Sequence, residues 1–186
     1  MLIIRNMAIA VFFIWILVDS AVIFRYKTGE AENRDRASLK VVTMGNLVAW
    51  TCSIYFSFIS TGAMQLILLQ IAGLTLLAAG IALRFVAVAQ LGRFHTPNVA
   101  ILADHQLMDS GLYRHVRHPS YLGALIAFLG FGLALGNWFS VVVILLIIPY
   151  IYIYRIDEEE QALATGLGDP YIEYCKRTKR LIPGVY

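Results

Sequence analysis

Residues 111–123 read GLYRHVRHPSYLG, and the polarity of the chain changes inside them. Arg114, His115, Arg117 and His118 crowd the positions before Pro119, with Tyr113 and Tyr121 on either side. Proline suits the first residue of a helix, where its missing N–H has no bond to lose and its fixed φ is already helical. The following Leu122 to Leu135 is almost wholly apolar. The stretch therefore predicts a cluster of hydrogen-bonding side chains at the mouth of a membrane helix, a place for chemistry at a bilayer surface.

The composition around it supports the membrane reading. Of 186 residues, 59% are hydrophobic and 15% charged, and the mean hydropathy of +0.70 lies well above that of soluble domains. The apolar runs predict an all-α integral membrane protein, one domain over 1–186, with five transmembrane helices at about 2–24, 41–60, 64–89, 120–136 and 138–154. A hydrocarbon core takes ~20 helical residues. A cleavable signal peptide is the competing reading of the first run. Asp19 inside it, the lone basic Arg5 and the lack of a small-x-small cleavage site favour a retained helix. The last two runs are short and split by Gly136-Asn137, so they predict a tight antiparallel hairpin inside the bundle. Gly132 and Gly136, and Gly123 and Ala127, are spaced for close helix contact. Pro149 should bend the second arm. Cys52 and Cys175 sit in unlike settings and are read neither as a disulfide nor as metal ligands.

Five spans put the 25–40 loop, the 90–118 segment and the C-terminal tail on one side. Thirteen of the 15 Lys and Arg residues then fall on that side, leaving Arg5 on the other and Arg84 in the membrane. Positive charge marks the cytoplasmic face. The N-terminus is thus expected outside, and the C-terminus and the site inside. All four histidines lie in the irregular 90–118 segment, and an irregular segment of that length in a small bundle is usually functional.

Arg155 and Glu159, one turn apart where the last span ends, share a helix face. Topology brings them to the same interface as the 111–121 cluster, with an ordinary surface pair as the bland alternative. Asp157 and Glu158 read as a solvated helix face. His115 and His118 are three apart, but no cysteine or third ligand accompanies them, so no metal site is expected. No Gly-rich nucleotide loop occurs. Arg84 and Asp19 are both costly in lipid and are read as a structural ion pair, with Arg84 in the reaction cavity as the alternative.

GLYRHVRHPSYLG resembles the G-x-Y-x-x-x-R-H-P-x-Y-x-G signature of the isoprenylcysteine carboxyl methyltransferases and their phospholipid methyltransferase relatives. Arg155, Glu159-Glu160, Leu163, Gly168, Tyr171, Tyr174 and Ile182-Pro183 follow in the family's order, so the resemblance covers roughly residues 90–186. Five spans resemble the small prokaryotic, archaeal-type members. The resemblance implies methylation of the carboxylate of a prenylated C-terminal cysteine by S-adenosylmethionine, with S-adenosylhomocysteine as product. It implies a cytoplasmic cofactor pocket formed by the 90–120 segment and the C-terminal helices. The cofactor contacts it implies are His105, Gln106, Leu107, Met108, Tyr113, His118, Pro119, Ser120, Tyr121 and Glu159, with Asn98 a weaker transfer. Arg155 is implied as the catalytic, substrate-binding arginine, and Arg117 as the second candidate. The implied partners are the prenylated substrate and membrane lipid, not nucleic acid; no oligomeric state is implied, and a monomer is compatible with the resemblance.

The competing functional readings are a phospholipid N-methyltransferase of the same superfamily, a sterol-reductase-like membrane oxidoreductase and a non-enzymatic packing or transport protein. An amine acceptor would need a base and would have less use for Arg155. No second nucleotide-phosphate cluster supports the reductase, and no continuous polar stripe supports transport.

Overall fold

The computed structural model describes residues 2–25, 36–95 and 107–186, and these form a helical bundle with no strand among them. The elements are α1 (Leu2–Arg25), α2 (Arg36–Ser57), α3 (Ile67–Leu91), α4 (Pro119–Ala134), α5 (Trp138–Leu167) and α6 (Asp169–Arg177). Short 3-10 turns occupy Gly92–Phe94 and Gly111–Arg114. Among the described residues, α1, α3 and α5 are long and apolar enough to cross a membrane. The 22-residue α2 opens with Arg36 and carries Lys40, and α4 has only 16 residues. Pro119 is the first residue of α4. At 30 residues, α5 continues through Pro149 and measures ~45 Å along its helix at 1.5 Å per residue. A ~30 Å core would take only ~20 of these residues, so α5 is long enough to carry its charged end beyond a span.

The closest helix pair is α3 with α4, and glycine makes it so. A Cβ at Gly73 would lie 2.5 Å from the Ala134 nitrogen, and one at Gly123 would lie 2.6 Å from the Arg84 nitrogen. Gly80 and Gly130 meet the partner backbone in the same way. The close helix contact expected of the small residues of α4 is made mainly with α3. Gly123, Ala127 and Gly130 face α3, and Gly136 sits in the turn with φ +74° against the Gln70 amide. Only Gly132 faces α5, through Ile144. The reason is rotational: residues seven apart recur on one face, and that face of α4 meets a matching row on α3.

The other contacts lock this frame. Ser53 and Ser140, both fully buried, exchange hydroxyl-to-carbonyl bonds between α2 and α5. Phe12 of α1 stacks on Phe131 at 4.0 Å, within a cluster that includes Trp15, Trp50 and Phe128. Arg84 donates to both oxygens of Asp19 at 2.8 Å, which is the structural pair expected from the sequence and joins α1 to α3. At one end, buried Asn137 caps α5 by accepting from the Phe139 N–H, and donates to the Ile59 and Thr61 carbonyls. The opposite end, where α3 stops and α4 begins, is left for the polar segments.

Candidate active site

The charged end of α5 builds one wall. Arg155, Glu159, Leu163 and Leu167 recur every four residues, so one helical stripe runs from a buried cation through a carboxylate to two leucines. The facing wall comes from the entrance to α4. Because Pro119 opens that helix and His118 makes no capping bond to it, the His118 imidazole is left to turn toward α5. Tyr113, Ser120 and Tyr121 stand beside it. Leu91, Phe94 and His95 from the end of α3, Leu107 and Met108, and Tyr171 and Tyr174 of α6 complete the lining, around about 830 Å³ counting the open mouth.

Specific bonds hold the two walls together. The Tyr121 hydroxyl donates to Glu159 Oε2 at 2.6 Å. His118 Nδ1 lies 4.0 Å from Glu159 Oε1, while its Nε2 lies 3.1 Å from Glu160 Oε1. Arg117 Nε donates to the same Glu160 oxygen at 2.7 Å, and Arg180 donates to the other. The tail lies along the motif as a strap: the Arg117 and His118 N–H groups donate to the Lys179 and Arg180 carbonyls. Tyr174 donates to the Tyr113 carbonyl, and Tyr113 to the Ala87 carbonyl, which ties α6 to α3 through the 3-10 turn. Arg155, buried in the floor, donates through Nη1 to the buried Ser38 hydroxyl of α2.

The electrostatics follow from these partners. Burial alone would raise the Glu160 carboxyl, but hydrogen bonds and charge from His118 and Arg117 hold it down at about 2. Burial, reinforced by the Arg84 charge, lowers His95 below the ordinary histidine range. Burial pushes the Tyr174 hydroxyl up to about 12, and burial with the Glu159 charge raises Tyr113 further. The lining tyrosines therefore remain neutral donors at physiological pH.

The residues singled out from sequence fall into three groups. Leu107, Met108, Tyr113, His118, Ser120, Tyr121, Arg155 and Glu159 share the pocket. Pro119 is buried at the start of α4 but does not line it. Asn98, His105 and Gln106 lie outside the described residues. Arg117 lines the pocket, and its guanidinium also holds Glu160 and the Cys175 and Thr178 carbonyls, so it ties the tail to the motif. His115 is exposed. Sequence reasoning missed His95, Phe94 and Ser38. The only signal for His95 was that it belongs to the histidine-bearing segment, and nothing near Ser38 distinguishes it from other helix-start serines.

Residues 72–165 match the family model described as the isoprenylcysteine carboxyl methyltransferase (ICMT) family. Relatives include the protein-S-isoprenylcysteine O-methyltransferase of Schizosaccharomyces pombe, 37% identical over 116 residues, or 61% of this chain and 49% of that one. Protein-S-isoprenylcysteine O-methyltransferase B of Arabidopsis thaliana is 34% identical over 115 residues, 61% of this chain and 58% of the relative. The Delta(14)-sterol reductase of Mus musculus is 37% identical over 90 residues, 44% of this chain and 20% of the relative. The chain thus spans about half the length of the methyltransferase relatives it matches. Among solved structures, the eukaryotic intramembrane Ras methyltransferase ICMT superposes with a TM-score of 0.66 at 25% identity, covering 77% of this chain and 52% of that one. Three helices able to cross a bilayer and this intramembrane neighbour make the chain an integral membrane protein. The family match contains His118, Tyr121, Arg155 and Glu159, which meet in the pocket, and the chain belongs to the isoprenylcysteine carboxyl methyltransferase family.

Proposed function

We propose that this protein methylates the C-terminal carboxylate of a prenylated cysteine, using S-adenosylmethionine. The observation that carries the reading is the convergence in one pocket of a buried arginine, a carboxylate one turn beyond it and an aromatic wall from the 113–121 segment. In this reading α1 to α5 all cross the bilayer, with the N-terminus outside and the pocket and C-terminus in the cytoplasm. The one-sided distribution of Lys and Arg supports that orientation.

The donor set fits the cofactor. Glu159 and His118 offer acceptors to amino and hydroxyl groups, and the faces of Tyr113 and Tyr121 suit a sulfonium cation. Leu107, Met108 and Ser120 flank them, and Asn98, His105 and Gln106 are proposed as further cofactor contacts. When bound, the cofactor supplies an electrophilic methyl group. The protein's part is orientation. A carboxylate is already ionised near pH 7, so no general base is needed. Arg155 presents parallel N–H donors that fit a carboxylate, and Ser38 holds it in the floor of the pocket. The leucine and tyrosine walls exclude water, and positioning of the acceptor oxygen does the rest. The prenyl chain is left to lie in the bilayer or between helices.

The test uses purified protein, methyl-labelled S-adenosylmethionine, N-acetyl farnesylcysteine and phosphatidylethanolamine in one reaction. Base-labile label on the prenylcysteine is expected. Label only on the lipid amine assigns the phospholipid reading instead. The similarity to a sterol reductase favours one second reading. NADPH oxidation with a sterol, in protein that does not bind S-adenosylhomocysteine, would establish it.

A further inference from the structure

His118 is held from behind by a residue that methyl transfer does not itself use. Glu160 sits one position past Glu159, on the next face of α5, with both oxygens engaged: Oε1 with Arg117 Nε at 2.7 Å and His118 Nε2 at 3.1 Å, Oε2 with Arg180 at 2.7 Å. We propose that Glu160 is a positioning residue that sets the tautomer of His118: in the neutral ring the proton stays on Nε2, so that Nδ1 enters the pocket as a hydrogen-bond acceptor.

The argument is one of donor and acceptor accounting. An ionised carboxylate can only accept, and the partners of Glu160 keep it ionised far below neutral pH. The His118 nitrogen that touches it must therefore be the donor. A neutral imidazole has one donor and one acceptor nitrogen, so in the neutral form of the ring Nδ1 carries the lone pair. Stacking on Tyr121, with centroids 5.6 Å apart and planes at 27°, fixes where that lone pair points. It points to the side of Glu159 Oε1, 4.0 Å away. The other Glu159 oxygen already accepts from Tyr121.

With the His118 ring neutral, the side chains Glu159, His118 and Tyr121 thus offer the pocket two acceptors 4.0 Å apart and no donor. A phosphate or carboxylate there would meet lone pairs, whereas an amino group or a pair of hydroxyls would bridge the gap. Glu160 in this way sets which end of a ligand goes where: the donor-bearing part of the cofactor against His118 and Glu159, and the substrate carboxylate at Arg155. Naming the ligand rests on the methyl-donor reading; the proton position does not.

The experiment labels histidine with nitrogen-15 in the full chain and identifies the His118 signals by their loss in His118→Gln. In wild type, Nδ1 should give a pyridine-type resonance and Nε2 a pyrrole-type one. Because Glu160 also neutralises two arginines, the variants compared are Arg180→Ala alone and Arg180→Ala with Glu160→Ala, which removes one charge of each sign. The single variant should keep the Nε2–H form and bind S-adenosylhomocysteine within about twofold of wild type. The double variant should show mixed tautomers and bind about tenfold more weakly, the loss of about one good hydrogen bond. A proton on Nδ1 in wild type overturns the proposal, as does a double variant that keeps both the tautomer and the affinity. Mixed tautomers in Arg180→Ala alone also overturn it, by assigning the effect to the tail strap. If the double variant does not fold, the wild-type spectrum decides. Wild-type protein that does not bind S-adenosylhomocysteine refutes the methyl-donor reading and leaves the spectrum to judge this one.

Discussion

Gly123→Ala is the smallest change that should couple the bundle to the pocket. The added Cβ would lie 2.6 Å from the Arg84 nitrogen and 2.8 Å from the Gly80 oxygen. Both are backbone atoms of α3, so no side chain can swing away. Ordinary contact begins at 3.4 Å, so α3 and α4 must part by roughly 3.4 − 2.6 = 0.8 Å. Overpacking of this kind costs about 1–3 kcal/mol. At about 2–4 °C per kcal/mol for a chain of this size, the thermal midpoint should fall by about 2–12 °C. Gly123 is also within one turn of Tyr121 and just over one turn from His118, so the same shift displaces the cofactor wall. Misplacement by about 1 Å can cost about a hundredfold in rate. The assay is thermal unfolding in detergent together with initial rates on N-acetyl farnesylcysteine. Gly132→Ala is the control, because its Cβ would first meet the terminal Cδ1 of Ile144 at 3.0 Å, which can rotate. An unchanged midpoint and rate in Gly123→Ala, or a greater loss in Gly132→Ala, would refute the backbone-contact argument.

Three further outcomes follow from the same frame. Arg155→Ala should abolish ester formation while S-adenosylhomocysteine affinity changes little; a large affinity loss by calorimetry would move Arg155 into the cofactor site. Asp19→Ala leaves the buried Arg84 unpaired and should cost about 3–5 kcal/mol, whereas the exchange Asp19→Arg with Arg84→Asp should recover much of the folded yield on size-exclusion chromatography, which a cavity role for Arg84 would not predict. Glu160 is held at about 2 against an ordinary 4.5. Its contribution to stability is therefore complete above about pH 4.5 and is lost as pH falls toward 2. Thermal midpoints measured from pH 5 down to 2.5 should decline less steeply in Glu160→Gln than in wild type; parallel slopes would refute the assignment.

Much of the site was open to local reading. Pro119 as a helix start and Arg155 above Glu159 on one face depend only on the geometry of a single helix. The Asp19–Arg84 pair followed from depth, since two opposite charges in lipid at a similar level have few alternatives. The roles of Arg117 and Glu160 were not open to such a reading. As a string, Arg-His-Pro offers Arg117 to a substrate as readily as to the tail. The fold engages it with the tail, because residues 178–180 return alongside it and Glu160 projects beneath it. Ser38 reaches Arg155 across 117 positions of chain, and no local pattern reports such a pairing.

By itself, the sequence determined the apolar runs, their punctuation at Gly136-Asn137, and which residues share a face within each helix, because hydrophobic length and the helical period are properties of contiguous residues. Only the tertiary structure decided how each helix is turned about its own axis. That rotation selects the row of glycines in α4 that meets α3, leaves Gly132 alone toward α5, and aims Tyr121 at Glu159 and His118 at Glu160. The physical reason is that helices of one period can pack in several rotations. Which rotation wins depends on small residues and polar partners carried by other helices.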